Sequence, residues 1–165
     1  MTQKDEDWKY TNVAPIAKNE WIVPPIDLFP KFDGYEEIVM DFDFSRSGFA
    51  ALNMAFAFSS ISVLPKDMSF AEPIMLGYGA AKKTMTSPHI VIIAEPGSKA
   101  TVVEQYLPDS TGFTNAVTRV IIGDNANITH YRVQKNSAEA FNVGTTEVTL
   151  GAGSRYDSTN INLGS

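Results

Sequence analysis

The 165-residue chain reads as mainly β, wound as a parallel β-helix, and three observations carry that reading. Short apolar runs follow one another with no helix-length segment between them. The composition turns towards β-formers after Pro88. Glycine turns recur at spacings of 26 and 28 residues, at Gly97, Gly123 and Gly151, and periods of 20–50 residues mark repeat architectures.

The compositional shift is sharp. Seven of the nine prolines and all six methionines precede His89, whereas the 77 residues from His89 onward contain 24 Val, Ile and Thr. Branched side chains favour the pleated backbone, and clustered prolines remove the N–H groups that regular structure needs. The chain therefore divides into an N-terminal arm, strand and short helix over residues 1–60 and one continuous stack of β rungs over residues 61–165.

In the arm, DEDWKYTN (residues 5–12) suits a short helix with acids at its N-terminal end, and Pro15, Pro24, Pro25 and Pro30 then oppose regular structure. Residues 1–35 read as an arm laid over something. Alternation in IVMDFDF predicts a strand over Ile38–Phe44, with Asp41 and Asp43 on one face. That pair suits a solvated or salt-bridged face near Arg46 better than acid–base chemistry. Next, SGFAALNMAFAF predicts a short helix capped by Ser47 and largely buried on one face, with apolar residues at Phe49, Leu52 and Phe56 and at Ala50 and Met54.

Eight extended runs follow: ISVL, PIMLGY, HIVIIA, ATVVEQYL, NAVTRVII, ANITHYRVQ, TTEVTL and RYDSTNINL. Aligning Gly97, Gly123 and Gly151 puts small Ala100, Ala126 and Ser154 three residues later, and large Val102, Ile128 and Tyr156 five residues later. A glycine turn before a small inward residue suits a strand rounding a tight corner. An antiparallel sandwich with similarly spaced turns is the competing architecture.

Composition also excludes functions. The chain has no cysteine, hence no disulfide and no thiolate nucleophile or ligand. A net charge of −6 with scattered basic residues lacks the concentrated positive charge that nucleic acid or an anionic membrane requires. The acidic start MTQKDEDWKY does not resemble a signal peptide, and the longest apolar stretch, Phe49–Phe58, is too short to span a bilayer. A cytoplasmic protein is expected.

Candidate chemistry is sparse. His89 and His130 have no further His or Cys at ligand spacing, so no metal site is expected from this chain. Alternation in NITHYRVQ puts Ile128, His130 and Arg132 on one face and Thr129, Tyr131 and Val133 on the other, and His130 reads as a surface histidine. GYGAAKKT (residues 77–84) lacks the Gly-Lys step of a phosphate loop, and Asn127-Ile-Thr129 is a fortuitous sequon. With no Gly-x-Ser-x-Gly elbow and no nucleophile–base order, the chain reads as a non-enzyme.

Several stretches resemble the SufB/SufD family of iron–sulfur cluster assembly proteins. Glu6, Asp7, Trp8, Lys9 and Tyr10, with Thr11 and Asn12, are similar to a string characteristic of the SufD branch. Ala51–Phe56, including Asn53 and Phe56, resembles an LN-x-AF element, and Pro73–Leu76 a PI-x-L step. The likeness is strongest from Pro88 to Gln134, where GSKATVVEQY, FTNAV and NITHYRVQ, with Tyr131 and Gln134, are similar to consecutive rungs, and it continues at Ala140-Phe141. Ser59-Ser60 stands where relatives carry an Asp-Gly turn.

The resemblance implies a right-handed parallel β-helix with flanking helical segments. It also implies a cytoplasmic, non-catalytic scaffold that works with a SufB-like subunit and a SufC-like ABC-type ATPase. No cofactor is bound by this chain itself, and the iron–sulfur cluster belongs to the complex. The family continues for further rungs and a C-terminal helical segment, so partner-binding parts are expected beyond Ser165. An open last rung invites self-association. Two other readings compete: a carbohydrate-binding or carbohydrate-cleaving β-helix, and a small self-associating β protein without the family function.

Overall fold

The computed structural model describes residues 14–23, 37–38, 41–107 and 109–163. Nine strands stack as a parallel solenoid of four turns, accompanied by two short helices. Sheet one contains β1 (Phe58–Leu64), β3 (Met85–Thr86), β4 (Pro88–Ala94), β6 (Phe113–Ile122) and β8 (Phe141–Leu150). Sheet two contains β2 (Ile74–Tyr78), β5 (Lys99–Tyr106), β7 (Asn127–Gln134) and β9 (Arg155–Asn162). Each turn contributes one strand to each sheet, β3 and β4 sharing the second turn, and every strand pair is parallel. The β-helix expectation holds, and all eight extended runs lie in strands.

The register shows how the repeat works. Lys99 pairs with Asn127 and Asn127 with Arg155, while His89 pairs with Val117 and Phe113 with Phe141, a step of 28 residues in each case. Only the first turn of sheet one is longer, since Phe58 pairs with Pro88. At one corner, four-residue turns superpose as Pro65–Met68, Glu95–Ser98, Gly123–Ala126 and Gly151–Ser154, each closed by a bond from the fourth N–H to the first carbonyl. Their third residues, Asp67, Gly97, Asn125 and Gly153, all have positive φ.

The glycine alignment therefore needs correction. Gly97 belongs with Asn125 and Gly153, whereas Gly123 and Gly151 belong with Glu95, so Ala100 stacks on Ile128 and Tyr156 rather than on Ala126 and Ser154. The left-handed slot accepts Asp and Asn as well as Gly, so glycine alone marks it incompletely. Side-chain bearers and glycines alternate along the column. A Cβ at Gly97 would collide with the Asp67 carboxylate, and one at Gly153 would lie 2.7 Å from Asn125 Oδ1. Gly97→Ala should cost about 1–2 kcal/mol from φ strain alone. An Asp67→Ala background should recover any further loss caused by the collision, as urea titration will resolve.

Between the sheets the lumen is apolar near this corner, where Ile90, Ile92, Val102, Val120, Ile122 and Ile128 are all at most 2% exposed. The other side of sheet one is also buried, because N-terminal segments lie on it. Helix α1 (Ala14–Lys18) and Val23 bring Ile16, Trp21 and Val23 onto Phe49, Phe113 and Val143. Trp21 stacks 5.6 Å from Phe113 and 5.9 Å from Phe141, and Ile22 bridges to Thr84. The described part of the arm thus does lie over the solenoid. Pro15 does not prevent α1, because the first helical turn has no partner for its N–H anyway.

Helix α2 (Gly48–Phe56) is capped by Ser47, whose hydroxyl accepts from the Ala50 N–H, as the sequence predicts. Its buried residues are Phe49, Ala50 and Asn53; of the other apolar positions expected to face inward, Leu52 and Met54 are half-buried and Phe56 is 37% exposed. Asn53 donates to the Pro88 and Asn115 carbonyls, and Asn115 in turn donates to the Phe49 carbonyl. These bonds tie the helix to β4 and β6. Two local expectations fail. Phe44–Arg46 is a 3₁₀ turn capped by Asp43, so no strand runs to Phe44. Ser59 and Ser60 lie within β1 rather than in a turn. The run of 38–44 alternates, but the hydrogen bonds that the Ser45 N–H and hydroxyl donate to the Asp43 carboxylate compete successfully for the local backbone.

The helix expected over residues 5–12, the family-like positions Glu6 to Tyr10 and Pro24, Pro25 and Pro30 lie outside the described residues.

Candidate functional site

Away from the apolar corner the lumen becomes ionic. Glu104 on β5 is 0% exposed, yet its carboxylate accepts five hydrogen bonds. Oε1 accepts from the Tyr106 hydroxyl at 3.3 Å and the Thr118 hydroxyl at 3.2 Å. Oε2 accepts from His130 Nε2 at 3.1 Å and from Arg132 Nη2 and Nε at 3.3 and 3.4 Å. These donors come from β5, β6 and β7, so a single carboxylate joins both sheets across two turns.

The spacing follows from strand geometry. His130 and Arg132 are two residues apart on β7 and therefore share its inward face, and in register they stack on Val102 and Glu104. Arg132 spans the lumen to donate to Thr146 Oγ1 on β8 at 2.6 Å. Gly144 leaves room for this: a Cβ there would lie 3.0 Å from Arg132 Nη1. A carboxylate only accepts, so Nε2 carries the proton of the His130–Glu104 bond, and Nδ1 shares a hydrogen bond with the Tyr156 hydroxyl on β9 at 2.8 Å.

Burial acts to raise the Glu104 pKa, but the His130 hydrogen bond and the Arg132 charge outweigh it and hold the carboxyl below its usual range. Glu104 is thus ionised and matched by Arg132. The same burial, reinforced by the Glu104 charge, pushes the Tyr106 and Tyr78 hydroxyls well up, so both remain protonated. A cavity of about 260 Å³ adjoins the cluster, lined by His130, Arg132, Thr146, Tyr156, Ser158 and Asn160 with Val148.

His130 is therefore not a surface residue. Its inward placement with Ile128 and Arg132 does match the alternation, and what the sequence concealed was that this face looks into a closed lumen. Glu104 and its hydroxyl partners were missed altogether. The available signal was the 28-residue step, which stacks Glu104 directly on Arg132.

A second polar cluster lies beneath the N-terminal cover. Arg119 on β6 is 5% exposed and donates to Glu147 at 3.1 Å and to the Ile38 carbonyl, with Asp41 at 3.9 Å. Its guanidinium also lies over the Phe42 ring. The acidic face expected around Asp41 is thus salt-bridged, through Arg119.

His89 is 1% exposed beside the Phe42 and Phe44 rings, and neither ring nitrogen has a hydrogen-bond partner. Burial first, and the Arg119 charge second, lower its pKa to about 4. The unfolded chain titrates near 6.5. Between these values the unfolded state binds more protons, so stability is complete above about pH 6.5 and falls as pH drops. The loss should reach about 3 kcal/mol by pH 4. His89→Phe should flatten that slope, and denaturant titrations at a series of pH values would show whether it does.

Among the other family-like positions, Asn53 is the buried tie described above, Tyr131 projects outward at 37% exposure, and Gln134 is half-buried at the end of β7. Asn53 and Phe56 sit on α2, and Tyr131 and Gln134 on the far sheet, so the structure does not bring these four together. Among the described residues no group of three His, Cys, Asp or Glu converges as a metal site, and no helix is long and apolar enough to cross a membrane.

Fold and lumen together define a parallel β-solenoid with an ionic cluster centred on a buried carboxylate between its sheets. Residues 77–165 match the family model described as SUF system FeS cluster assembly, SufBD core domain. That match covers just over half of the chain, which belongs to this family. A similar curated protein is the iron–sulfur cluster assembly SufBD family protein of Synechocystis sp., 29% identical over an alignment of 119 positions that covers 64% of this chain. The aligned part is 26% of that relative, so the chain spans about a quarter of its length. No solved structure gives a significant match.

Proposed function

We propose that this chain is a non-catalytic scaffold component of the Suf iron–sulfur cluster assembly machinery, of the SufD type. It acts in the cytoplasm by binding a SufB-like subunit and an ABC-type ATPase, and the cluster belongs to the complex rather than to this chain. The observation that carries the reading is the SufBD core match over residues 77–165, which covers the last three turns of the solenoid.

Three features support the finer assignment. The stretch Glu6–Asn12 resembles the SufD branch. The chain has no cysteine, so it offers no thiolate to iron or to transferred sulfur. The buried charge of the lumen is committed to holding strands together, with Glu104 saturated by donors, which suits a rigid support.

The test is genetic and biochemical. Cells lacking the gene should lose activity of iron–sulfur dehydratases under iron limitation, while enzymes without clusters keep theirs. The purified chain should co-elute with SufB-like and ATPase proteins from the same cells. Normal dehydratase activity and no co-elution would overturn the assignment.

A further inference from the structure

At the rim of the solenoid opposite β8 and β9, two strand edges stand open. Among the described residues, β1 pairs only with β4 and β2 only with β5. Parallel pairing engages the backbone groups of alternate residues. Phe58 donates to the Ser87 carbonyl and Leu64 accepts from the Glu95 N–H, so the even-numbered residues of β1 bond to β4. The N–H and C=O groups of Ser59, Ile61 and Val63 therefore point away from β4, out of the rim. On β2 the Tyr78 carbonyl accepts from the Leu107 N–H, which turns the backbone groups of Met75 and Gly77 out of the same rim.

Edge strands are ordinarily guarded by a lysine, a proline or an inward charge that discourages pairing. FSSISVL and IMLGY hold none of these. Met75 is 59% exposed, Ser60 is exposed, and Ile61, Val63, Ile74 and Leu76 are only half-buried.

The two edges also share a centre. Thr118 donates to Glu104 across the lumen. Thr118 stacks on Ile90 and Ser60, and Glu104 stacks on Leu76, so Ser60 faces Leu76. The strands run in opposite directions across the lumen, and one step towards the corner on each brings Ile61 and Met75 onto a single line through both sheets.

We infer that a second copy of this chain docks on this rim, its β1 and β2 antiparallel to their counterparts about a two-fold axis through Ile61 and Met75. Ile61 and Met75 then each exchange N–H and C=O bonds with their own copies, and Ser59 of one copy pairs with Val63 of the other. The pair of edges selects this occupant. A single extended segment satisfies one edge only, whereas a second copy carries two strands at the spacing of the two sheets. The charges that flank the strands in sequence, Lys66, Asp67 and Glu72, all lie at the corner end. The two-fold carries them to opposite ends of the interface, away from their own copies. Two short strand pairs bury less than the roughly 1,200 Å² at which standard interfaces begin, so the dimer dissociates on dilution.

Sedimentation equilibrium of the full chain over a concentration series measures the association. Met75→Lys sets two lysines directly opposite each other at the axis, and Ser60→Lys puts a charge on the edge of β1. Thr159→Lys makes the same kind of change on β9, at the opposite rim. All three sites are exposed, and circular dichroism will confirm that folding is retained. Because the chain has no cysteine, Met75→Cys reports on the axis itself. Directly paired Cα atoms about 5.5 Å apart are within disulfide reach, so oxidised glutathione should link two Met75→Cys chains and leave Thr159→Cys unlinked.

The expected result is a reversible monomer–dimer equilibrium, weakened at least about tenfold by Met75→Lys and by Ser60→Lys and unchanged by Thr159→Lys. A chain that stays monomeric at its highest soluble concentration would overturn the inference. So would a dimer that Met75→Lys and Ser60→Lys leave intact, a dimer that Thr159→Lys disrupts, or one that Met75→Cys fails to cross-link. None of these outcomes touches the Suf assignment, which the genetic and co-elution experiments test separately.

Discussion

Glu104→Leu should destabilise the solenoid by about 3–5 kcal/mol, because it removes the carboxylate paired with the Arg132 guanidinium and leaves that charge in the lumen. Three further donors, from Tyr106, Thr118 and His130, lose their acceptor at the same time. Urea unfolding of the single variant measures the loss. The variant combining Glu104→Leu, His130→Val and Arg132→Leu should regain most of it, since replacing a whole buried ionic cluster with apolar residues is often neutral. Stability of the triple variant no higher than that of the single would show that the cluster stabilises the fold outright.

Phe113→Ala should cost a similar amount, about 3–5 kcal/mol, for a different reason. Phe113 is 0% exposed and stands where three segments meet: its ring is 5.6 Å from Trp21, 6.1 Å from Phe49, and stacked in register on Phe141. Truncation opens a cavity that the rigid sheet below cannot fill. Because Trp21 loses its main platform, the 14–23 segment should detach before the solenoid unfolds. Proteolysis at Lys18 should therefore accelerate more than global unfolding does, and equal acceleration of both would refute the keystone role.

Much of this fold was legible because it depends on short-range signals. Strand runs such as HIVIIA and NAVTRVII declare themselves by β-branched content, and Ser47 announces α2 by its capping hydroxyl. What stayed hidden depends on residues distant in sequence. Asn53 reads as a polar interruption of a helix until Pro88 and Asn115 supply its acceptors, 35 and 62 residues away. His130 reads as exposed until the turns close a lumen around it. The repeat was visible but shifted by two residues, because Asp67 and Asn125 occupy a slot that a search for glycine overlooks.

The constant register also bears on how quickly the chain can fold. Apart from β1 with β4, neighbouring strands always pair residues 28 apart, so the strand pairings span about 0.17 of a chain of 165. That value is typical of all-β domains that fold in milliseconds to seconds. Each closure spans the same length of chain and so carries the same entropic cost, which makes no turn a privileged nucleus. Where folding begins is then decided by local content, and the second and third turns, which hold the inner strands of both sheets together with Glu104, Thr118, His130 and Arg132, have neighbours on each side ready to grow outward from them.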